Sequence, residues 1–153
     1  MRIELEELVD YTLIGIHTSE EDYRLAYLLN KNLNTSFSKF KQHLDFKNNT
    51  ATYSIYEFLD ESKQQEIYLI SNKFIGNHTQ IPKATLFSDS ISYSTTSYLI
   101  KEKKKVDFFL KIVGDTSAFE IKNIVNKLNN IHQIITSYSI NPSELKSKDF
   151  LIF

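Results

Sequence analysis

Two stretches of this chain, about a hundred residues apart, share one pattern: an apolar strand-like run, a polar cap, and a helix with a single apolar stripe. Residues 9–18 (VDYTLIGIHT) put Tyr11, Leu13, Gly15 and His17 on one side and Ile14 and Ile16 on the other, because side chains alternate along an extended strand. Apolar groups on both sides predict a central strand. Thr18-Ser19-Glu20-Glu21-Asp22 follows, with Thr18 as a hydroxyl N-cap and Glu21 at capping-box spacing. Leu25, Ala26, Leu29 and Leu33 then recur at helical spacing, and this helix is expected to end within residues 32–35. The second unit comprises residues 106–113 (VDFFLKIV) and Gly114-Asp115-Thr116-Ser117, with Ser117 and Glu120 spaced as a second capping box. Its stripe is Ile121, Ile124, Val125, Leu128 and Ile131.

The two units align. Val9-Asp10-Tyr11 with Leu13 parallels Val106-Asp107-Phe108 with Leu110. After a one-residue slip at the turn, Tyr23, Leu25, Leu28 and Leu29 parallel Phe119, Ile121, Ile124 and Val125. Amphipathic segments resemble one another by chance, so the likeness is open to two readings, coincidence or an internal repeat. A repeat implies two βαβ-like halves around one sheet, a ferredoxin-like plan with extra strands.

Further strand-like segments lie at residues 37–46, 50–59, 66–74, 91–100 and 134–140, with turns at Asn48-Asn49 and at residues 60–63. Residues 76–83 (GNHTQIPK) read as a polar loop, and Asn141-Pro142 ends the last strand. The 11 Phe and 9 Tyr suit a half-buried pleated surface. The expected fold is one α+β domain over residues 1–153. Its mostly antiparallel sheet would have about six to eight strands with both helices on one face. The other face is expected to carry Phe109, Ile14, Ile16 and some of the tyrosines. An apolar face of that kind needs covering, by the loop and tail or by a second chain.

Composition narrows the function classes. With 153 residues, 41% hydrophobic and 24% charged, the chain can bury a core of its own. A net charge of -1 gives little long-range attraction to nucleic acid or an anionic membrane. The absence of cysteine excludes disulfides, zinc–thiolate sites and thiol nucleophiles. Residues 1–7 (MRIELEE) are acidic and do not lead into a long apolar run, so no signal peptide is read. No stretch approaches the ~20 apolar residues of a membrane span, and a cytoplasmic protein is expected. Only 3 glycines are present, with no phosphate loop, nucleophile elbow or HExxH, so no catalytic residue, cofactor or metal site is assigned.

One segment carries a family likeness. In Leu99-Ile100-Lys101-Glu102-Lys103-Lys104-Lys105-Val106-Asp107-Phe108, the residues Ile100, Glu102, Val106 and Asp107 stand in the register of an IPExxxVDY motif. Lys101 replaces its proline and Phe108 its tyrosine. Together with the opening VDYTLIGIHTS and the closing LKSKDFLIF, the chain resembles the IPExxxVDY family of small bacterial proteins over nearly its whole length. The resemblance implies a Bacteroidetes-type origin and brings no assigned activity or active site. The lysine at position 101 argues against an essential rigid turn there.

The remaining candidates are weighed by chemistry. His17, His43, His78 and His132 show no metal-site spacing. Glu20-Glu21-Asp22 is explained by the exposed N–H groups of a helix start. Asp10 and Asp107 head matching strands, either as a proton-sharing pair or, the favoured reading, as acceptors for local backbone or tyrosine groups. The lysines at 101 and 103–105, beside Phe108 and Phe109, read as a solvated loop or edge; RNA binding is the alternative. Phe150-Leu151-Ile152-Phe153 is expected to dock, on its own sheet or across an interface. Possible binding or interface residues are therefore Asp10, Glu102, Asp107, Phe109, Phe150 and Phe153. The expected role is a non-catalytic interaction or scaffold domain that self-associates. A small-ligand sensor or enzyme with a pocket between sheet and loop is the second reading.

Overall fold

A computed structural model of the chain describes residues 11–40, 44–45, 51–80 and 91–151. Strand β1 (Tyr11–Thr18) leads into helix α1 (Asp22–Leu33), and β9 (Phe108–Val113) leads into α2 (Ala118–Asn129) and β10 (Ile134–Ile140). Between the two units lie β2 (Ser38–Lys39), β3 (Leu44–Asp45), β4 (Thr52–Tyr53), β5 (Ile55–Asp60), β6 (Gln65–Ser71), β7 (Lys73–Gln80) and β8 (Ile91–Tyr98). Six strands form one antiparallel sheet in the order β10-β1-β9-β6-β5-β2, and β3-β4 and β7-β8 form two small ribbons. Taking β1-α1-β6 and β9-α2-β10 as the two halves, β10-β1-β9-β6 is the ferredoxin-like order, extended by β5 and β2.

Both helices cover one sheet face. Leu25, Leu28 and Leu29 of α1 and Leu128 of α2 pack on Ile14, Ile16, Leu69, Leu110 and Ile112. Ile14 and Ile16 were expected on the opposite face. They lie under the helices instead, and Leu13 takes the far side with Phe109, Ile70, Leu99, Ile100 and Val106. The strand repeat is likewise out of phase: Leu13 and Leu110, aligned in sequence, point to opposite faces. A one-residue offset inverts every side chain of a strand, so the helix-facing residue that corresponds to Leu110 is Ile14.

The far face is covered by the chain itself. Ala51, Tyr53, the 99–106 connection, Leu145 and Leu151 complete its core. Leu151 is fully buried, whereas Phe150 is 41% exposed, so the apolar tail docks through its leucine. Asp10, His43, the turn at Asn48-Asn49 and Phe153 lie outside the described residues.

Three local expectations are corrected. Residues 76–80 are strand, not loop: His78 pairs with Tyr93 and Asn77 with Ser94 along β7-β8. That ribbon exposes much of both its faces, so its sequence is polar without being irregular. The 66–74 segment is broken at Asn72, where the chain leaves the main sheet for the ribbon. At α1 the N-cap is Glu21, with no side-chain cap bond; the Thr18 hydroxyl accepts from Glu20 N–H at 3.2 Å and donates to the Gln133 carbonyl at 2.7 Å. The second capping position holds as read, with Ser117 Oγ accepting from Glu120 N–H at 3.1 Å.

Candidate functional site

The motif segment connects β8 to β9 through a 3₁₀ turn at Lys101–Lys103, and it is organised around Asn72. The Asn72 amide nitrogen donates to the carbonyls of Lys103 and Val106, both at 2.9 Å. Its amide oxygen accepts from Ile100 N–H at 2.7 Å. Its backbone N–H donates to the Asp107 carbonyl and its carbonyl accepts from Leu99 N–H, at 3.0 and 2.9 Å. A buried amide must be satisfied in this way, and here the satisfaction shapes the whole connection. Ile100 and Val106 are buried beside it in the far-face core.

The two motif acids act outward from this hub. Asp107 Oδ2 accepts from Thr18 N–H at 2.9 Å, and Oδ1 pairs with Lys73 Nζ at 2.9 Å. It thereby fastens the end of β1 to the start of β7. Glu102 accepts from the N–H groups of Lys146 and Ser147, at 2.8 and 3.2 Å, and so holds the segment that covers the far face. Desolvation works against the charge on Glu102, and the hydrogen bonds from Ser147 and Lys146 outweigh it, holding its carboxyl below the usual glutamate range.

Beside Asp107 lies an open polar cleft of about 450 Å³, between the 18–22 turn and the base of β7. Ser54, Ser71, Lys73, Asn77 and Asp107 line it, with Glu20, Glu21 and Asp22 at one side. Among the described residues no three His, Asp or Glu side chains are grouped to hold a metal ion, so the acidic run does not converge. His17 Nε2 lies 2.8 Å from the Tyr138 hydroxyl.

The lysine run lies apart from the rings it was read with. Phe108 and Phe109 are buried on opposite faces of the sheet and cannot stack bases, while Lys104 sits over the Tyr98 ring at 5.8 Å. Lys111 is more unusual. It stands in the far-face layer of β9, 5% exposed, with its ammonium donating to the Leu151 carbonyl and lying 5.0 and 5.7 Å from the Tyr11 and Tyr68 ring centres. Burial pushes its pKa down to about 8, against the attraction of Glu66.

Asn72, Lys73 and Lys111 were not singled out from sequence. An amide inside a strand-like run and a lysine inside FFLKIV were the available signals. No family model matches the chain, and no curated protein and no solved structure matches it.

Proposed function

We propose that this chain is a non-catalytic interaction domain of the IPExxxVDY type that acts in the cytoplasm and associates with a second copy of itself. The cis-covered far face removes the first ground for self-association, and a different surface supplies one. The carrying observation is edge strand β10, where Ile135 is 75% and Tyr138 37% exposed. Large apolar side chains left exposed on an outer strand suit protein association through the side chains rather than the edge. The residues of the motif support the same role, because Glu102 and Asp107 are engaged in holding backbone segments together. No helix among the described residues is long and apolar enough to cross a membrane.

Sedimentation across a concentration series tests this reading. The wild-type chain should dimerise at micromolar concentration, and Ile135→Lys should shift it to monomer without changing its melting temperature by more than a few degrees. A wild-type chain that stays monomeric at the highest concentrations overturns the proposal.

The polar cleft favours a second reading, a small-ligand sensor, because Ser54, Ser71, Lys73 and Asp107 converge there. A thermal-shift screen of polar metabolites against wild type and Lys73→Ala discriminates it. Stabilisation that the substitution abolishes supports a ligand in this cleft; no stabilisation by any compound rejects it.

A further inference from the structure

A second cleft, distinct from the polar one, opens on the helix side of the sheet where the end of α1 and one side of α2 part above β6. It measures about 330 Å³. Its floor is apolar, made by Ile67, Leu110 and Ile112, with Phe37 and Phe58 stacked at a tilt along one wall and Ile124 opposite. Its rim is charged with both signs. Asp60 and Lys63 come from the β5–β6 turn, and Glu120 and Lys127 from one face of α2, seven residues or roughly 10 Å apart along its axis.

The polar atoms there are only partly used. Asp60 Oδ1 accepts from Ser62 Oγ at 2.6 Å and from Lys63 N–H at 3.3 Å, and the Ser62 N–H and the Lys63 charge also favour its carboxylate. Neither the Lys63 nor the Lys127 ammonium has a carboxylate at ion-pair distance among those residues, where the one ion pair is Lys73–Asp107. Gln65, 6% exposed, commits its amide nitrogen to the Asp115 carbonyl and the Thr116 hydroxyl, while its oxygen accepts no hydrogen bond among the described residues. The Tyr11 hydroxyl is the one buried side-chain polar atom without a partner among the described residues, so the Gln65 oxygen meets solvent and is an open acceptor in the cleft wall.

Volume and charge together define the occupant. At about 330 Å³ the cleft is at the small end of the range of small-molecule sites. An apolar floor asks for a hydrocarbon or aromatic body. A rim with two ammonium groups, two carboxylates and a spare amide acceptor asks for a head carrying both charges, since a head of one sign meets as much repulsion as attraction. We propose that this cleft binds a free α-amino acid with a large apolar side chain, of the leucine or phenylalanine class. The side chain lies on Ile67 and the Phe37–Phe58 wall. The α-carboxylate faces Lys63 or Lys127, and the α-ammonium takes Asp60, Glu120 or the Gln65 oxygen.

The experiment titrates the full chain with L-phenylalanine, following thermal stability and the NMR signals of Phe37, Phe58 and Ile124. Three comparison compounds each lack one part: phenylpropanoate has no amine, phenethylamine has no carboxylate, and glycine has no apolar body. Saturable binding of L-phenylalanine, at least ten-fold tighter than each comparison compound, with shifts at those three residues, is the expected result. Lys63→Ser with Lys127→Ser should weaken it ten-fold or more, and Glu120→Gln should weaken it while leaving phenylpropanoate unaffected. Binding of phenylpropanoate or phenethylamine as tightly as of the amino acid overturns the assignment of a two-charge head. Saturable binding that shifts Ser54, Lys73 and Asp107 instead overturns the assignment of the cleft, and no binding by any of the four overturns the proposal whole.

Discussion

Asn72 shows how one buried amide sets the path of a connection. Its side chain serves three backbone groups that lie 28 to 34 residues away in sequence. Asn72→Ala leaves the Ile100 N–H and the Lys103 and Val106 carbonyls without that partner, at about 1–3 kcal/mol for each group that stays buried and unsatisfied. The substitution should therefore cost about 3–5 kcal/mol of stability, and an unfolding midpoint within experimental error of wild type would refute the hub. Lys111 gives the residue scale a pH signature. Its pKa falls from 10.5 in the unfolded chain to about 8 in the folded one, so between those values the unfolded chain holds more protons and raising the pH favours folding. Tyr68 acts oppositely. Burial, with the negative charge of Glu66, raises its hydroxyl from 10.0 to about 12, so above about pH 10 the unfolded chain gives up its proton first and stability falls. Denaturant midpoints should climb from about pH 8, then turn down above about pH 10. Lys111→Met should flatten the climb and keep the fall.

At the scale of elements, periodic signals were legible and non-periodic ones were not. The α2 stripe, strand β10 and the Ser117 cap appear where residue spacing puts them, because each is dictated by neighbours within a turn or two. Leu128, central in that stripe and fully buried, should cost about 2–5 kcal/mol on replacement by alanine through lost burial and a residual cavity. An unchanged midpoint would mean that the stripe faces elsewhere. From Gly76 on, β7 was illegible as strand because its polar run lacks the alternation of a half-buried sheet, whereas its partner β8 reads as strand. Asp107 was legible as a strand-head acceptor, but Asn72, Lys73 and the two clefts were harder, since they depend on contacts between distant segments. Edge strand β10 illustrates such a contact. The outward N–H and carbonyl of Ser137 are taken by the Asn129 side chain at 2.7 and 3.3 Å, which mimics a neighbouring strand and blocks the middle of the edge. Asn129→Ala should unblock it, at a cost of about 1–2 kcal/mol in stability. Light scattering should then rise more steeply with protein concentration than for wild type, and identical scattering curves would dismiss the guarding role.

For the whole molecule, the strand order links regions far apart in sequence. Strand β1 is flanked by β9 and β10, with Ile14 opposite Leu110 on one side and Ser139 on the other. The far-face core is completed by Leu145 and Leu151, held in place through Glu102 and Lys111. On the ribosome these partners emerge in a fixed sequence, and β1 leaves the exit tunnel roughly a hundred residues before the strands that enclose it. Until residues 142–151 arrive, Leu13, Ile70 and Phe109 belong to a surface that water still reaches, and pairing of such distant strands is intrinsically slow. The nascent chain therefore passes through a long interval in which its later core is a sticky exterior, an interval that holdase chaperones would be suited to cover.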